Sequence, residues 1–171
     1  MGLNVEISVE AGAWDQLADA PALIRNALAA GARTARRRFS RDTEVSVLLS
    51  DDAGVQILNR RWRNQDKPTN VLSFPATVLP GQSLHLGDIV LAFETAMREA
   101  QNESKKPGDH ISHLVLHGFL HLLGYDHLTD TDAATMEALE RAALAKLGIA
   151  DPYQGTELSE TDHAPEAGHV R

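Results

Sequence analysis

The segment HGFLHLLGYDH, residues 117 to 127, constrains this chain more than any other stretch of it. Two histidines four apart in an apolar run lie on one face of a helix, with Cβ atoms roughly 6 Å apart, so two imidazoles can converge on one ion. Gly124 lets the chain leave that helix and double back, which can bring His127 to the same ion as a third ligand. Three neutral imidazoles leave one position open on a tetrahedral zinc, the arrangement of a catalytic site rather than a structural one. His113 shares the face, but a straight helix spreads His113, His117 and His121 over about 12 Å of rise, and bonds of about 2 Å to one ion serve that spread poorly. The expected metal ligands are therefore His117, His121 and His127. His110 and His113 flank the site, and His85, His163 and His169 are expected to be solvent-exposed bystanders. Asp126 either orients an imidazole by accepting its second N–H or caps the helix that follows. The chain has no cysteine, so nitrogen and oxygen are the only ligands on offer, and a disulfide framework and a cysteine nucleophile are excluded.

The surrounding sequence reads as one α+β domain, a small mixed sheet packed with helices, the metal site lying on one of the helices. A length of 171 residues suits one domain, and 43% hydrophobic with 23% charged residues is far from the disordered classes. LNVEISV at 3 to 9 alternates like a half-buried strand, and Leu17, Ile24, Leu28 and Ala32 predict an amphipathic helix from Trp14 to about Arg38. EVSVLL at 44 to 49 is a second strand. Ser50 is the expected N-cap of a helix that runs through Val55, Leu58 and Trp62 to about Asn64, with Trp62 on its buried face. NVLSF at 70 to 74, between Pro68 and Pro75, suits a sheet edge, and LHLGDIVL at 84 to 91 is a further strand. Helices are predicted from Phe93 to Glu103, from Asp109 to Leu123 and from Thr129 to Leu147, the last stopped by Gly148. The domain spans 1–150. Residues 151–171, polar with two prolines and two glycines, read as an acidic disordered tail. No run is apolar enough to span a membrane, and the N-terminus lacks the pattern of a signal peptide, so the expected location is the cytoplasm.

The net charge of −8 argues against a polyanionic partner until its distribution is read. Residues 1–32 carry −3, 33–67 carry +4, 68–150 carry −5 and 151–171 carry −4. Nine of the sixteen basic residues fall in the second window: Arg33, Arg36, Arg37, Arg38, Arg41, Arg60, Arg61, Arg63 and Lys67. Local sign governs phosphate contacts, so this window is a candidate polyanion track as well as a candidate solvated helix face. Within it, the arginines of NRRWRNQDKPTNVLSFP, 59 to 75, are suited to a phosphate, which guanidinium holds through two parallel bonds.

The spacing of the three histidines and the glycine is the one metzincin peptidases use, with one departure. Those enzymes carry a glutamate general base directly after the first histidine, and Gly118 stands there in this chain. Peptide hydrolysis would need its base from elsewhere, and an anionic substrate, for which charge stabilisation counts more, fits better.

WRNQDKPTNVLSFP, LGDIVLA and HGFLHLLGYDH, in that order along the chain, resemble the YbeY family of bacterial ribosomal RNA maturation factors over roughly residues 3 to 148. The resemblance implies an α+β fold with a metal in a cleft. It implies a zinc-dependent endoribonuclease that hydrolyses single-stranded RNA, acting in maturation of the small-subunit (16S) ribosomal RNA 3′ end and in ribosome quality control, with the small ribosomal subunit and its assembly factors as partners. His117, His121 and His127 match the family's zinc ligands, one Zn2+ per chain, and Arg63 matches its functional arginine. Two rivals stand beside this reading, a zinc peptidase and a non-enzymatic ribosome assembly factor with a structural zinc.

Overall fold

The computed structural model describes residues 2–40, 42–76 and 84–153. Four strands form one sheet: β1 (Asn4–Val9), β2 (Glu44–Ser50), β3 (Val71–Pro75) and β4 (His85–Ala92), in the order β1-β2-β4-β3. β1 and β4 run parallel to β2, and β3 is the antiparallel edge, pairing Ser73 with Ile89. Pro75 is tolerated there because an edge strand has one unladdered side. The helices are α1 (Ala20–Thr34), α2 (Asp52–Arg63), α3 (Phe93–Asn102), α4 (Pro107–Leu122) and α5 (Asp130–Lys146).

The period of two along each strand decides what lies on which side. Val45, Val47, Leu49, Ile89, Leu91 and Val71 share the main core with Ile24, Leu28, Val115 and Phe119 of α1 and α4. Their alternates Leu48, Leu72, Phe74 and Val90 meet Val55 and Leu58 of α2 on the opposite face. α5 packs outside α1 and α4, through Met136, Ala143 and Leu144 against Ala30, Leu116 and Leu120. α4 is thus buried between sheet and α5, and twelve of its residues are buried. The crossing with α1 is close: a Cβ on Gly31 would stand 2.7 Å from Leu116 Cδ1.

Several boundaries move for physical reasons. α1 begins at Ala20, with Pro21 in its first turn, rather than at Trp14. Residues Gly12–Gln16 form a 3-10 turn that buries Trp14, whose indole N–H donates to the Ser50 carbonyl at 2.8 Å. Asp51, not Ser50, caps α2 by accepting from the Gly54 N–H at 2.8 Å. Trp62 is 63% exposed rather than buried. It lines an open groove with Leu48, Leu58 and Phe74, because α2 lies on that face of the sheet and no further layer covers it among the described residues. The start of α2 is tied to α3, where Asp52 accepts from the Thr95 N–H and hydroxyl at 3.0 and 2.8 Å. At its other end the helix stops at Asn64, in the left-handed region, and Asn59 holds the following loop through the Lys67 carbonyl at 2.8 Å. These contacts set where the arginines of the last turn stand.

Candidate metal centre

The last turns of α4 build the site. The helix closes with a Schellman pair, the Tyr125 N–H on the Leu120 carbonyl and the Gly124 N–H on the His121 carbonyl, both at 3.0 Å. Gly124 takes φ of +102°, a value a side chain at Cβ would strain. The reversal returns the Tyr125 carbonyl to the helix, where it accepts from His121 Nδ1 at 3.0 Å. It also carries His127 back, so one ring nitrogen from each of His117, His121 and His127 lies within 4.8 Å of the others. His117 and His121 are buried and His127 is half-buried.

The hydrogen bonds behind the rings assign their tautomers. His117 Nδ1 donates to Glu140 Oε2 at 2.6 Å, as His121 Nδ1 does to Tyr125, which leaves Nε2 of each as the lone-pair nitrogen. Those two Nε2 atoms face one another at 3.2 Å. Two acceptors at that distance repel unless a cation lies between them, and two ligands of a tetrahedral ion with bonds of about 2.0–2.1 Å stand about 3.3 Å apart. The residues therefore fit a divalent ion. Burial lowers the His127 imidazole below its ordinary 6.5, so it is neutral and able to ligate at pH 7.

Behind the three histidines lies a polar layer that the sequence reading missed. Glu140, 0% exposed, accepts from His117 and, on its other oxygen, from His113 Nε2 at 2.8 Å and from the Tyr153 hydroxyl. Burial acts to raise its carboxyl, but the His117 and His113 imidazoles outweigh that and hold it well below the usual carboxylate range. Burial lowers His113 from 6.5 despite the carboxylate beside it. His113 is thus a half-buried partner of the site and not a mere flanking residue. His110 is buried too, on Glu99 at 2.9 Å, which in turn takes the Asn70 amide at 3.0 Å. The signal for Glu140 was its register: four residues from Met136 and from Leu144, it falls on the buried face of α5. Asp126 accepts the His127 backbone N–H at 2.8 Å, and the cap of α5 is Thr129, accepting from the Asp132 N–H at 3.0 Å. His85 is half-buried, 3.5 Å from Asp88, and His163 and His169 lie outside the described residues.

Arg63 is linked to the same helix through β3. Its Nη2 donates to the Ser73 carbonyl at 2.9 Å and its guanidinium lies 5.4 Å from the Phe74 ring. The Ser73 hydroxyl donates to the Gly118 carbonyl at 3.2 Å, directly after the first ligand. Position 118 itself faces the sheet: an added Cβ would stand 3.0 Å from Ser73 Oγ and 3.1 Å from Ile89 Cγ2. Any side chain there must push these neighbours back by a few tenths of an ångström. The basic window is split. Arg60, Arg61 and Arg63 end α2, whereas Arg33, Arg37 and Arg38 line a cavity with Gly2 and Phe39 beside the opposite edge strand, and Arg41 lies outside the described residues.

Residues Asp151, Pro152 and Tyr153, assigned to the tail from sequence, are packed on α4 and α5, with Pro152 buried. The expected disorder of the remaining tail falls on residues outside the described set.

Comparison with known proteins agrees with this geometry. The family model described as Endoribonuclease YbeY matches residues 12–148. Curated proteins named Endoribonuclease YbeY are similar along most of their length. That of Methylocella silvestris is 49% identical over 150 residues, 88% of this chain and 85% of the relative. That of Rhodopseudomonas palustris strain BisA53 is 46% identical over 162 residues, 92% of this chain and 94% of the relative. That of Nitrobacter winogradskyi is 51% identical over 154 residues, 86% and 80% of the two chains. The solution structure of TM1509 from Thermotoga maritima shares the fold at a TM-score of 0.51 and 20% identity, covering 90% of this chain and 99% of that one. On the family match and these identities, the chain belongs to the YbeY endoribonuclease family.

Proposed function

We propose that this chain is a zinc-dependent endoribonuclease that hydrolyses single-stranded RNA in the cytoplasm, acting in maturation of the small-subunit (16S) ribosomal RNA 3′ end and in ribosome quality control. Family membership supports the ribonuclease activity. The observation that carries the metal chemistry is the facing pair of Nε2 lone pairs at 3.2 Å, with His127 completing the set. The ligands are His117, His121 and His127, and the ion they hold supplies Lewis acidity to a phosphodiester. Glu140 and the Tyr125 carbonyl keep both Nδ1 protons in place, so that Nε2 points inward throughout a turnover. Arg63, fixed by the Ser73 carbonyl and Phe74, provides a preorganised cation for the charge that builds on the phosphoryl oxygens. Exposed Arg33, Arg36, Arg37, Arg38, Arg60 and Arg61 guide the strand by phosphate contacts. The small ribosomal subunit and its assembly factors are the proposed partners.

Gly118 weighs against the peptidase reading, since no general base follows the first histidine and a side chain there would crowd Ser73 and Ile89. The test is one preparation assayed for metal content and for cleavage of single-stranded RNA, duplex RNA and casein. Single-strand cleavage that disappears with His121→Ala supports the proposal. A stoichiometric metal with casein cleaved and RNA intact would overturn it, as would a stoichiometric metal with no cleavage at all, the result a structural zinc predicts.

A further inference from the structure

We propose that Tyr153, on the segment that follows α5, is a positioning residue for the metal ligand His117, acting through Glu140. The inference rests on the three-histidine cluster holding a divalent ion. Glu140 has two oxygens with different tasks. Oε2 takes the His117 Nδ1–H at 2.6 Å, and Oε1 takes both His113 Nε2 at 2.8 Å and the Tyr153 hydroxyl. A carboxylate can rotate about its last bond. Two donors on Oε1 fix its plane, and with it the direction in which Oε2 holds the ligand ring. Tyr153 is delivered to that point by anchors that do not involve Glu140. Its N–H donates to Asp151 Oδ1 at 2.9 Å, Asp151 Oδ2 pairs with Arg141 Nε at 3.2 Å, and the Arg141 guanidinium lies 5.4 Å from the tyrosine ring. Lys105 touches the same segment, but its ammonium lies 3.4 Å from the Pro152 carbonyl, too long a contact to orient the ring. Burial and the Glu140 charge both push the Tyr153 hydroxyl up, so it stays a proton donor across the working pH range.

The consequence is that the segment leading into the acidic tail is mechanically coupled to the metal centre. The experiment compares the full chain with Tyr153→Phe, Tyr153→Ala and Lys105→Ala. Zinc affinity is measured at neutral pH by competition with a chromophoric chelator, and the visible absorption of the Co2+-loaded proteins is recorded beside circular-dichroism melts of the metal-free chains. Tyr153→Phe keeps the ring and removes only the hydroxyl. It is expected to weaken zinc binding by about tenfold, the low end of what loss of an outer partner does, and to shift the Co2+ bands. Tyr153→Ala should weaken it at least as much. Lys105→Ala, which touches the segment without touching Glu140, should stay within about twofold of the parent. If Tyr153→Phe kept the parent's affinity and spectrum, with only Tyr153→Ala impaired, the tyrosine would be packing alone and the inference would be overturned. A parent chain that took up no zinc would overturn the metal centre itself, and this inference with it.

Discussion

His127 shows how much one residue's role depends on its neighbours. In sequence it is a histidine six places beyond His121, and the Gly124 reversal makes it the third side of a cluster. His121→Ala and His127→Ala should therefore each lose stoichiometric zinc, whereas His113→Ala should retain it, as measured by plasma emission on gel-filtered protein. Retention of a full equivalent by His127→Ala would remove it from the ligand set. Arg63→Ala should keep fold and metal yet lose about a hundredfold or more in turnover at saturating RNA, the usual cost of one transition-state donor. Lysine should rescue it poorly, because an ammonium cannot make the planar two-bond contact. Arg37→Ala, on an exposed residue, should chiefly reduce affinity and its salt dependence. Gly118→Glu should destabilise the fold by about 1–3 kcal/mol or more through overpacking on Ser73 and Ile89, read as a lowered urea midpoint, and gain no activity on casein.

At the scale of elements, α5 matters as much as the helix that carries the ligands. It brings Glu140 to His117 on one side and, through the residues after it, the Tyr153 hydroxyl on the other. This places the functional end of the domain beyond Ala150. A chain truncated after Tyr153 should melt close to the full-length protein, and one truncated after Ala150 should melt several degrees lower, because Pro152 and Tyr153 lose their contacts with Lys105 and Glu140. Equal melting of the two truncations would show that 151–153 contribute nothing. The cap of α2 is a smaller lever: Asp51→Ala removes the acceptor of the Gly54 N–H and should cost about 1 kcal/mol in chemical denaturation.

For the whole molecule, the buried polar layer makes stability depend on pH in a definite direction. Burial lowers His113 below the 6.5 it has in the unfolded chain, so the unfolded state binds a proton that the folded state refuses. Stability from this group is fully present above 6.5 and is lost as pH falls below it. Glu140 adds a second limb of the same sign at lower pH, since its depressed carboxyl contributes above the unfolded value of 4.5 and fails as pH drops through its folded value. Urea midpoints of the chelator-treated protein should thus fall steadily from neutral pH into the acid range, with a shallower first limb in His113→Gln. A midpoint that rose on acidification would mean that these groups are charged differently in the folded chain.

The local patterns were enough for much of this. Alternation along EVSVLL, prolines around NVLSF and the spacing of His117, His121, Gly124 and His127 depend on periods of two and 3.6 and on backbone freedom at one glycine, all of which are written in consecutive residues. Packing between distant elements is not written that way. Trp62 carries the periodicity of a core residue and stands exposed because, among the described residues, no further layer covers α2 on that side of the sheet. Glu140 and Tyr153 look like surface polar residues until α5 is laid across α4, and the continuous basic window from Arg33 to Lys67 parts when its two ends go to opposite edges of the sheet. The sequence by itself determined that His117, His121 and His127 cluster, because they share one helix and its reversal. Only the tertiary structure decided what stands behind them, because hydrogen bonds across 23 and 13 residues form only once distant elements pack together and exclude water.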